Sequence, residues 1–328
     1  MTDPLADPAG SALSSAEHAP ARREATSVAE PVPPVDEAAD RTDLERALIC
    51  LNLVTKQGDR RIAARVRRFG ALTALAQLHL ELSLANDLAT PEALRDRAED
   101  AVDHAAEVGI TPITLGSDRY PTALAELAEP PLVLWAQGNL ELLADLPQRA
   151  VAVCGSRAAT AYGEHVATDW SHQLAHRGAL VVSGGSYGID AAAHRGALAT
   201  GTGRTVLISA GGLDRPHPAG NAGLFERVAA TGGLLLSEAA PGRAPTRSWF
   251  LARNRLIAAL SAGTVVVEAA RRSGAINTAD WCRTLARPVM AVPGPVTSAT
   301  STGVHELIKT GARLITSVED IIAALPTF

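Results

Sequence analysis

Lysine is almost missing from this chain: only Lys56 and Lys309 occur among 30 basic residues, so its positive charge is nearly all guanidinium. Aromatic residues make up 3%, which leaves Ala, Val, Leu and Ile to fill a core. The three cysteines, Cys50, Cys154 and Cys282, stand far apart with no Cys-x-x-Cys pair. That spacing argues against a disulfide framework and against a zinc site, and it fits a reducing compartment. No basic start followed by an apolar run opens the chain, so no secretory signal is visible. Nor does any apolar stretch reach the roughly 18–20 residues that a membrane span needs. The expectation is a soluble, cytoplasmic protein with no membrane partner. No Walker sequence (Gly-x-x-x-x-Gly-Lys-Ser/Thr) occurs, and the first glycine loop is not Gly-x-Gly-x-x-Gly. A P-loop ATPase or a dinucleotide hydride carrier therefore has no motif behind it.

What is present is a chain of 328 residues, 47% hydrophobic and 20% charged, enough for one large α/β domain and a small companion. Its net charge is −5, but the charge is unevenly spread. Between 241 and 287 stand eight arginines, Arg243, Arg247, Arg253, Arg255, Arg271, Arg272, Arg283 and Arg287, against Glu268 and Asp280. Such a local excess is either a polyanion footprint or a solvated face with scattered ion pairs.

Residues 1–40 are rich in Ala, Pro, Asp, Glu and Ser and hold too little apolar surface to offset the entropy of ordering, which predicts a disordered tail. Helical spacing begins near Thr42, a candidate N-cap with Glu45 at the capping-box position. It continues to about Gly109 through Leu44, Leu48, Ile62, Val66, Phe69, Leu72 and Leu75, as in a small bundle of short helices. After Gly109 the pattern changes to short apolar runs alternating with helical stretches. The runs are 132–135, 151–154, 180–183, 205–209, 234–237, 264–268, 289–292 and 313–316. Strands apolar on both faces and separated by helices make a parallel sheet covered on each side, and the crossover rule makes it a doubly wound α/β fold. The expected division is a tail over 1–40, a small helical domain over 41–110 and the α/β domain over 111–325.

Ligands bind such sheets at the carboxyl ends of the strands, and four segments there carry candidate chemistry. Gly155-Ser156-Arg157 follows an apolar strand and precedes a helix, offering close backbone approach, free N–H groups and a guanidinium fork for an anion. Ser183-Gly184-Gly185-Ser186-Tyr187-Gly188 joins the next strand to a helix. It is either a glycine turn that lets a ligand come close or a Gly-x-Ser-x-Gly nucleophile elbow, with Asp214 and His305 as nominal partners. Trp249 and Phe250 sit just before Arg253-Asn254-Arg255. Arginine for phosphates beside a ring for bases suits a single strand, with one ring expected in the core and one free. The fourth segment, Arg271-Arg272-Ser273-Gly274, leads through Asn277 and Thr278 and has the form of a helix start that receives an anion. Glu268 ahead of it is either a buried carboxylate holding the loop or a catalytic acid.

In order along the chain these segments resemble the DNA-processing protein A (DprA/Smf) family. The resemblance rests on Cys154–Arg157, Ser183–Asp190 with His194, Gly211-Gly212-Leu213-Asp214 with Pro218, and Leu236-Ser237-Glu238. It continues through Phe250 with Arg253–Arg255, Val266–Ala269, Ser273-Gly274 with Thr278, and Ala291-Val292-Pro293-Gly294, covering about 110–320. It implies an extended Rossmann-like domain preceded by a SAM-like helical domain, without enzymatic activity, metal or cofactor. The implied role is to bind single-stranded DNA, to protect incoming DNA during natural transformation and to load the recombinase RecA, commonly as a homodimer. The DNA-binding set is then Gly155, Ser156, Arg157, Gly184, Gly185, Trp249, Phe250, Arg253, Asn254, Arg255, Ser273, Gly274, Asn277 and Thr278. Many members add a C-terminal winged helix, which this chain is expected to lack, and His217-Pro218 stands where the family usually has Tyr-Pro. Two rivals remain open. One is a nucleotide-cleaving phosphoribohydrolase of the lysine-decarboxylase-like fold, whose Pro-Gly-Gly opening is absent before Thr264–Glu268. The other is a sensor of a nucleotide-derived signal.

Overall fold

The computed structural model describes residues 40–84 and 90–325; the tail expected to be disordered lies outside them but for Asp40. The first elements are the helices α1 (Arg41–Val54), α2 (Arg60–Phe69), α3 (Ala71–Leu84) and α4 (Pro91–Glu107). The cap of α1 is Asp40 and not the expected Thr42: its carboxylate accepts from the Thr42 backbone N–H. Thr42 therefore falls inside the first turn, and Glu45 pairs with Arg41 at 3.2 Å instead of closing a capping box.

The rest of the chain alternates strand and helix. In order come β1 (Thr111–Thr114), α5 (Thr122–Ala125), β2 (Val133–Gly138), β3 (Ala150–Cys154), α6 (Ala161–His176), β4 (Leu180–Gly184) and α7 (Ile189–Leu198). Then follow β5 (Thr205–Ser209), α8 (Ala222–Ala230), β6 (Leu234–Ser237), α9 (Arg247–Ala259), β7 (Gly263–Val266) and α10 (Gly274–Thr284). The last are β8 (Val289–Ala291), α11 (Thr302–Lys309), β9 (Arg313–Leu314) and α12 (Val318–Ala324). The strands form a nine-stranded sheet in the order β1-β2-β6-β5-β4-β3-β7-β8-β9. Pairing is parallel from β6 to β9 and antiparallel for β1–β2 and β2–β6, so the expected doubly wound, mostly parallel sheet is present.

One strand escaped the sequence pattern. β1 contains Pro112, which cannot donate to a ladder and reads as a strand breaker. Its place at the edge of the sheet is what makes that proline tolerable. α9 is capped by Thr246, so the Trp249-Phe250 pair lies within its first turn and a half.

Ala, Val, Leu and Ile do fill the interior, and among the described residues Trp135 and Phe225 are the only aromatic side chains of the largest fully buried ones. Leu48, Leu51 and Leu53 of α1 join Val133, Trp135, Leu207 and Leu235 of the sheet in one apolar cluster. The opposite side of β4 and β5 is sealed by Leu256 and Ile257 of α9. The helical layer is therefore anchored to the sheet by shared burial, and by Trp135 donating from Nε1 to Asn52 Oδ1 at 3.1 Å.

Candidate nucleic-acid interface

The strand order reverses at β3. The chain winds one way through β3, β4, β5 and β6, then crosses through α9 to β7 on the other side of β3. Loops leaving β3 and β7 consequently diverge and open a crevice at the carboxyl ends of the strands. A cleft of about 600 Å³ lies there, within the range of small-ligand sites. Its walls are the β3–α6 loop, Ser186 and Asp190 after β4, the first turns of α9, and Ala270 with Arg272, Ser273 and the start of α10.

Arg157 reaches over the Phe250 ring, its guanidinium carbon 4.7 Å from the centroid, while His217 lies against the same ring at 5.7 Å. Arg253 forms the floor at 4% exposure. It donates to the Ile208 carbonyl, but its Nε has no hydrogen-bond partner. Burial lowers the Arg253 pKa, and Asp190 opposes that. Burial also raises the Asp190 carboxyl, again against the attraction of Arg253. Arg247 and Arg272 are exposed on the rim. Four guanidinium groups thus face one small carboxylate, an arrangement built for an anion.

The sequence set divides here. Gly155, Ser156, Arg157, Phe250, Arg253, Asn254, Ser273, Gly274 and Thr278 line the cleft; Gly184, Gly185, Trp249, Arg255 and Asn277 do not. Gly184 and Gly185 lie outside the lining, where packing leaves no room for a side chain. A methyl on Gly184 would meet the Arg253 guanidinium and the Asp190 carboxylate, and one on Gly185 would meet the Phe225 ring, all under 3.0 Å. Gly155 is likewise pressed against Ile189 and the Glu268 carbonyl, whereas a methyl on Gly274 would meet nothing closer than Asn254 Nδ2 at 4.0 Å. Arg255 points away altogether: it is 2% exposed and grips Glu238 through both terminal guanidinium nitrogens at 2.8 and 2.9 Å. Neither ring of the Trp-Phe pair is core. Trp249 is half-buried in a separate notch beside Lys56, where Arg243 covers it at 5.7 Å. Asn277 holds Asn254 at 3.2 Å, and Asn254 also donates to Gly274 O at 3.2 Å, which locks α9 to the start of α10. Ser273 caps α10 by accepting from Ala275 N at 3.1 Å.

The arginine-rich stretch is therefore not one footprint. Arg243 donates to Leu53 O, Arg271 pairs with Glu306, Arg283 with Asp280, and Arg287 ties down the Ala258, Ala259 and Ser261 carbonyls. Arg247 and Arg272 are the cleft arginines that the sequence reading left out of its set. Each follows within one residue of, or precedes, a helix cap (Thr246, Ser273), which was the available signal.

The enzyme alternatives fare differently from the cleft. Ser186 lines it, but Asp214 accepts from Gly242 N and contacts His104, and His305 bonds the Gly294 carbonyl; neither lines the cleft. Glu268, 3% exposed, accepts from Thr160 N at 2.9 Å and Thr160 Oγ1 at 2.6 Å. It holds the β3–α6 loop, the first of the two roles open to it.

A family model described as DNA recombination-mediator protein A matches residues 111–326. The chain belongs to this family. A relative from Mycobacterium tuberculosis named as DNA processing protein DprA is 45% identical over 291 residues, 84% of this chain and 74% of that protein. DprA of Streptococcus pneumoniae is 40% identical over 210 residues, 63% of this chain and 71% of that protein. The solved S. pneumoniae DprA structure superposes with a TM-score of 0.70 at 30% identity, covering 88% of this chain and 100% of that one. A DNA processing protein A from Helicobacter pylori, described for its single-stranded DNA binding mode, gives 0.58 at 32% identity over 65% and 94% of the two chains. Among the described residues of this family member, no helix is long and apolar enough to cross a membrane.

His194, part of the family run, supports the cleft from below. It is fully buried, donates from Nε2 to the Gly184 carbonyl at 3.0 Å, and meets Thr205 Oγ1 with Nδ1 at 2.7 Å. Burial pulls its pKa from 6.5 to about 4. The unfolded chain then takes up a proton below pH 6.5 that the folded chain refuses until about pH 4. Stability must fall as pH falls through that window, by about 2 kcal/mol between pH 7 and pH 5. Urea midpoints of the wild type and His194→Gln over this range test it. Because Asp190 acts in the opposite sense, the difference between the two proteins is the quantity to read; equal pH slopes would refute the assignment.

Proposed function

We propose that this chain binds single-stranded DNA in the cleft at the β3/β7 switch point. The observation that carries the reading is Arg157 lying over Phe250. A phosphate-binding cation and a base-stacking ring, 93 positions apart in sequence, are brought face to face at a cleft floored by a buried arginine with an unfilled donor. Arg157, Arg247, Arg253 and Arg272 take phosphates, Phe250 takes a base, and Ser273 and Gly274 bring the start of α10 close to the backbone. Such contacts carry little sequence information. The H. pylori relative's described binding mode supports the same ligand.

The wider role follows from the family resemblance read in the sequence. The protein protects incoming single strands in the cytoplasm during natural transformation, loads RecA onto them, and works as a homodimer without catalysis. A RecA-filament assay on strands precoated with single-strand-binding protein tests the loading step; no acceleration by this chain would refute it.

The DNA reading itself is tested by fluorescence anisotropy of labelled poly-dT against its duplex across a salt series. Four arginine–phosphate contacts give a log–log salt slope of about −3 on single strands, a loss of about 50-fold in affinity between 50 and 200 mM salt. Flat binding curves at low salt would sink the proposal.

A further inference from the structure

In a chain with so few aromatic residues, an exposed tyrosine beside a nucleic-acid cleft calls for a physical reason. Tyr187 is 48% exposed in the turn between β4 and α7, one residue past Ser186 of the cleft wall. Its ring belongs to none of the apolar clusters. Yet its position is fixed from two sides. Gly188, next along, has a φ of +71° and packs so closely on the Ser156 and Arg157 carbonyls that a methyl there would come under 3.0 Å. On the other side the phenol fills the space of a side chain at Gly220, where a methyl would lie 2.5 Å from the phenol oxygen. Asn221 pins this segment by donating from Nδ2 to Gly185 O at 3.0 Å.

The segment that cradles Tyr187 also carries His217. That imidazole is exposed, and it is tilted 57° to the Phe250 ring at 5.7 Å. Phe250, His217 and Tyr187 are thus linked through one short loop, 217–220, at the carboxyl edge of the sheet, with Arg157 over the Phe250 end. The carboxylate of that region does not oppose a strand there, since Asp214 is turned onto Gly242 N and His104. Exposed rings held in sequence beside arginine are what receive successive unstacked bases.

We infer that Tyr187, with His217 between it and Phe250, is a second base-stacking station for a single strand leaving the cleft. The strand crosses the 217–220 loop, so the footprint extends beyond the phosphate pocket on the β4 side. This rests on the DNA-binding reading above and names the path the strand takes.

The test compares wild type, Tyr187→Leu and Tyr187→Phe for binding of a labelled dT oligomer across a salt series. Leucine keeps bulk and apolar area but removes the π-face, so Tyr187→Leu is expected to bind about tenfold more weakly, the lower part of the range for loss of one base–aromatic stack. Tyr187→Phe restores binding to within about twofold, because every base has a π-face to meet it. The salt slope stays that of wild type, since no phosphate contact is removed. A Leu variant that binds as tightly as the Phe variant overturns the inference, and so does an equal loss in both, which would assign the effect to the hydroxyl. If wild type itself fails to bind the oligomer, the DNA reading falls, and this inference with it.

Discussion

Arg255→Ala is expected to cost about 3–5 kcal/mol of folding stability, the range for breaking one side of a buried ion pair. The guanidinium is 2% exposed and makes four hydrogen bonds: to both Glu238 oxygens at 2.8 and 2.9 Å, to Glu129 O at 3.1 Å and to Ala252 O at 2.9 Å. Burial alone would lower its pKa, and the Glu238 carboxylate more than reverses that, leaving it raised. Removing the arginine leaves Glu238, at 5% exposure, with only a long contact from the Gly58 N–H at 3.4 Å among the described residues. It also unties the helical layer, because Glu129, whose carbonyl Arg255 holds, pairs through its side chain with Arg60 at 2.6 Å. Urea unfolding measures the loss. The double variant Arg255→Met with Glu238→Leu should recover much of it, since matched apolar residues bury no lone charge. A loss under about 1 kcal/mol for the single variant, the value of an exposed pair, would mean that the pair is solvated.

Arg157→Ala should weaken poly-dT binding by about tenfold and make the salt slope shallower by about 0.7, the mark of one phosphate contact on a single strand. The fold should hold, because Arg157 is exposed and lies over the Phe250 ring without entering the core. Phe250→Leu should cost a similar factor with the slope unchanged, since a base contact and not a charge is lost. The two together should fall short of the product, because each side chain positions the other. Arg253→Ala should weaken all sequences alike and also reduce stability by leaving Asp190 buried without its counter-charge. Wild-type affinity in Arg157→Ala, or a changed base preference in Arg253→Ala, would contradict the phosphate roles.

Much of the fold was legible because its causes are local. Apolar runs on both faces, as in Leu180–Gly184 and Thr205–Ser209, can only be strands buried between helix layers. The exception was β1, where Pro112 hides a strand that only an edge position can tolerate. The loops at the strand ends were legible for the same local reason, and the cleft lies where the fold rule puts it. The roles of individual glycines were not. Gly155, Gly184 and Gly185 look like ligand-facing glycines, yet each is required by a protein atom from elsewhere in the chain.

The sequence by itself determined the alternation of strands and helices, the family, and the loops that carry the chemistry. Tertiary structure alone decided which side chains of those loops face the cleft. On a helix, neighbours stand about 100° apart and next-but-one neighbours about 200° apart. Trp249 and Phe250 therefore turn into different hollows, and Arg253 and Arg255 serve a cleft and a buried carboxylate on opposite sides of α9. The phase of that helix is set by Leu256 and Ile257 sealing against the sheet, a long-range contact that no spacing within the segment can reveal.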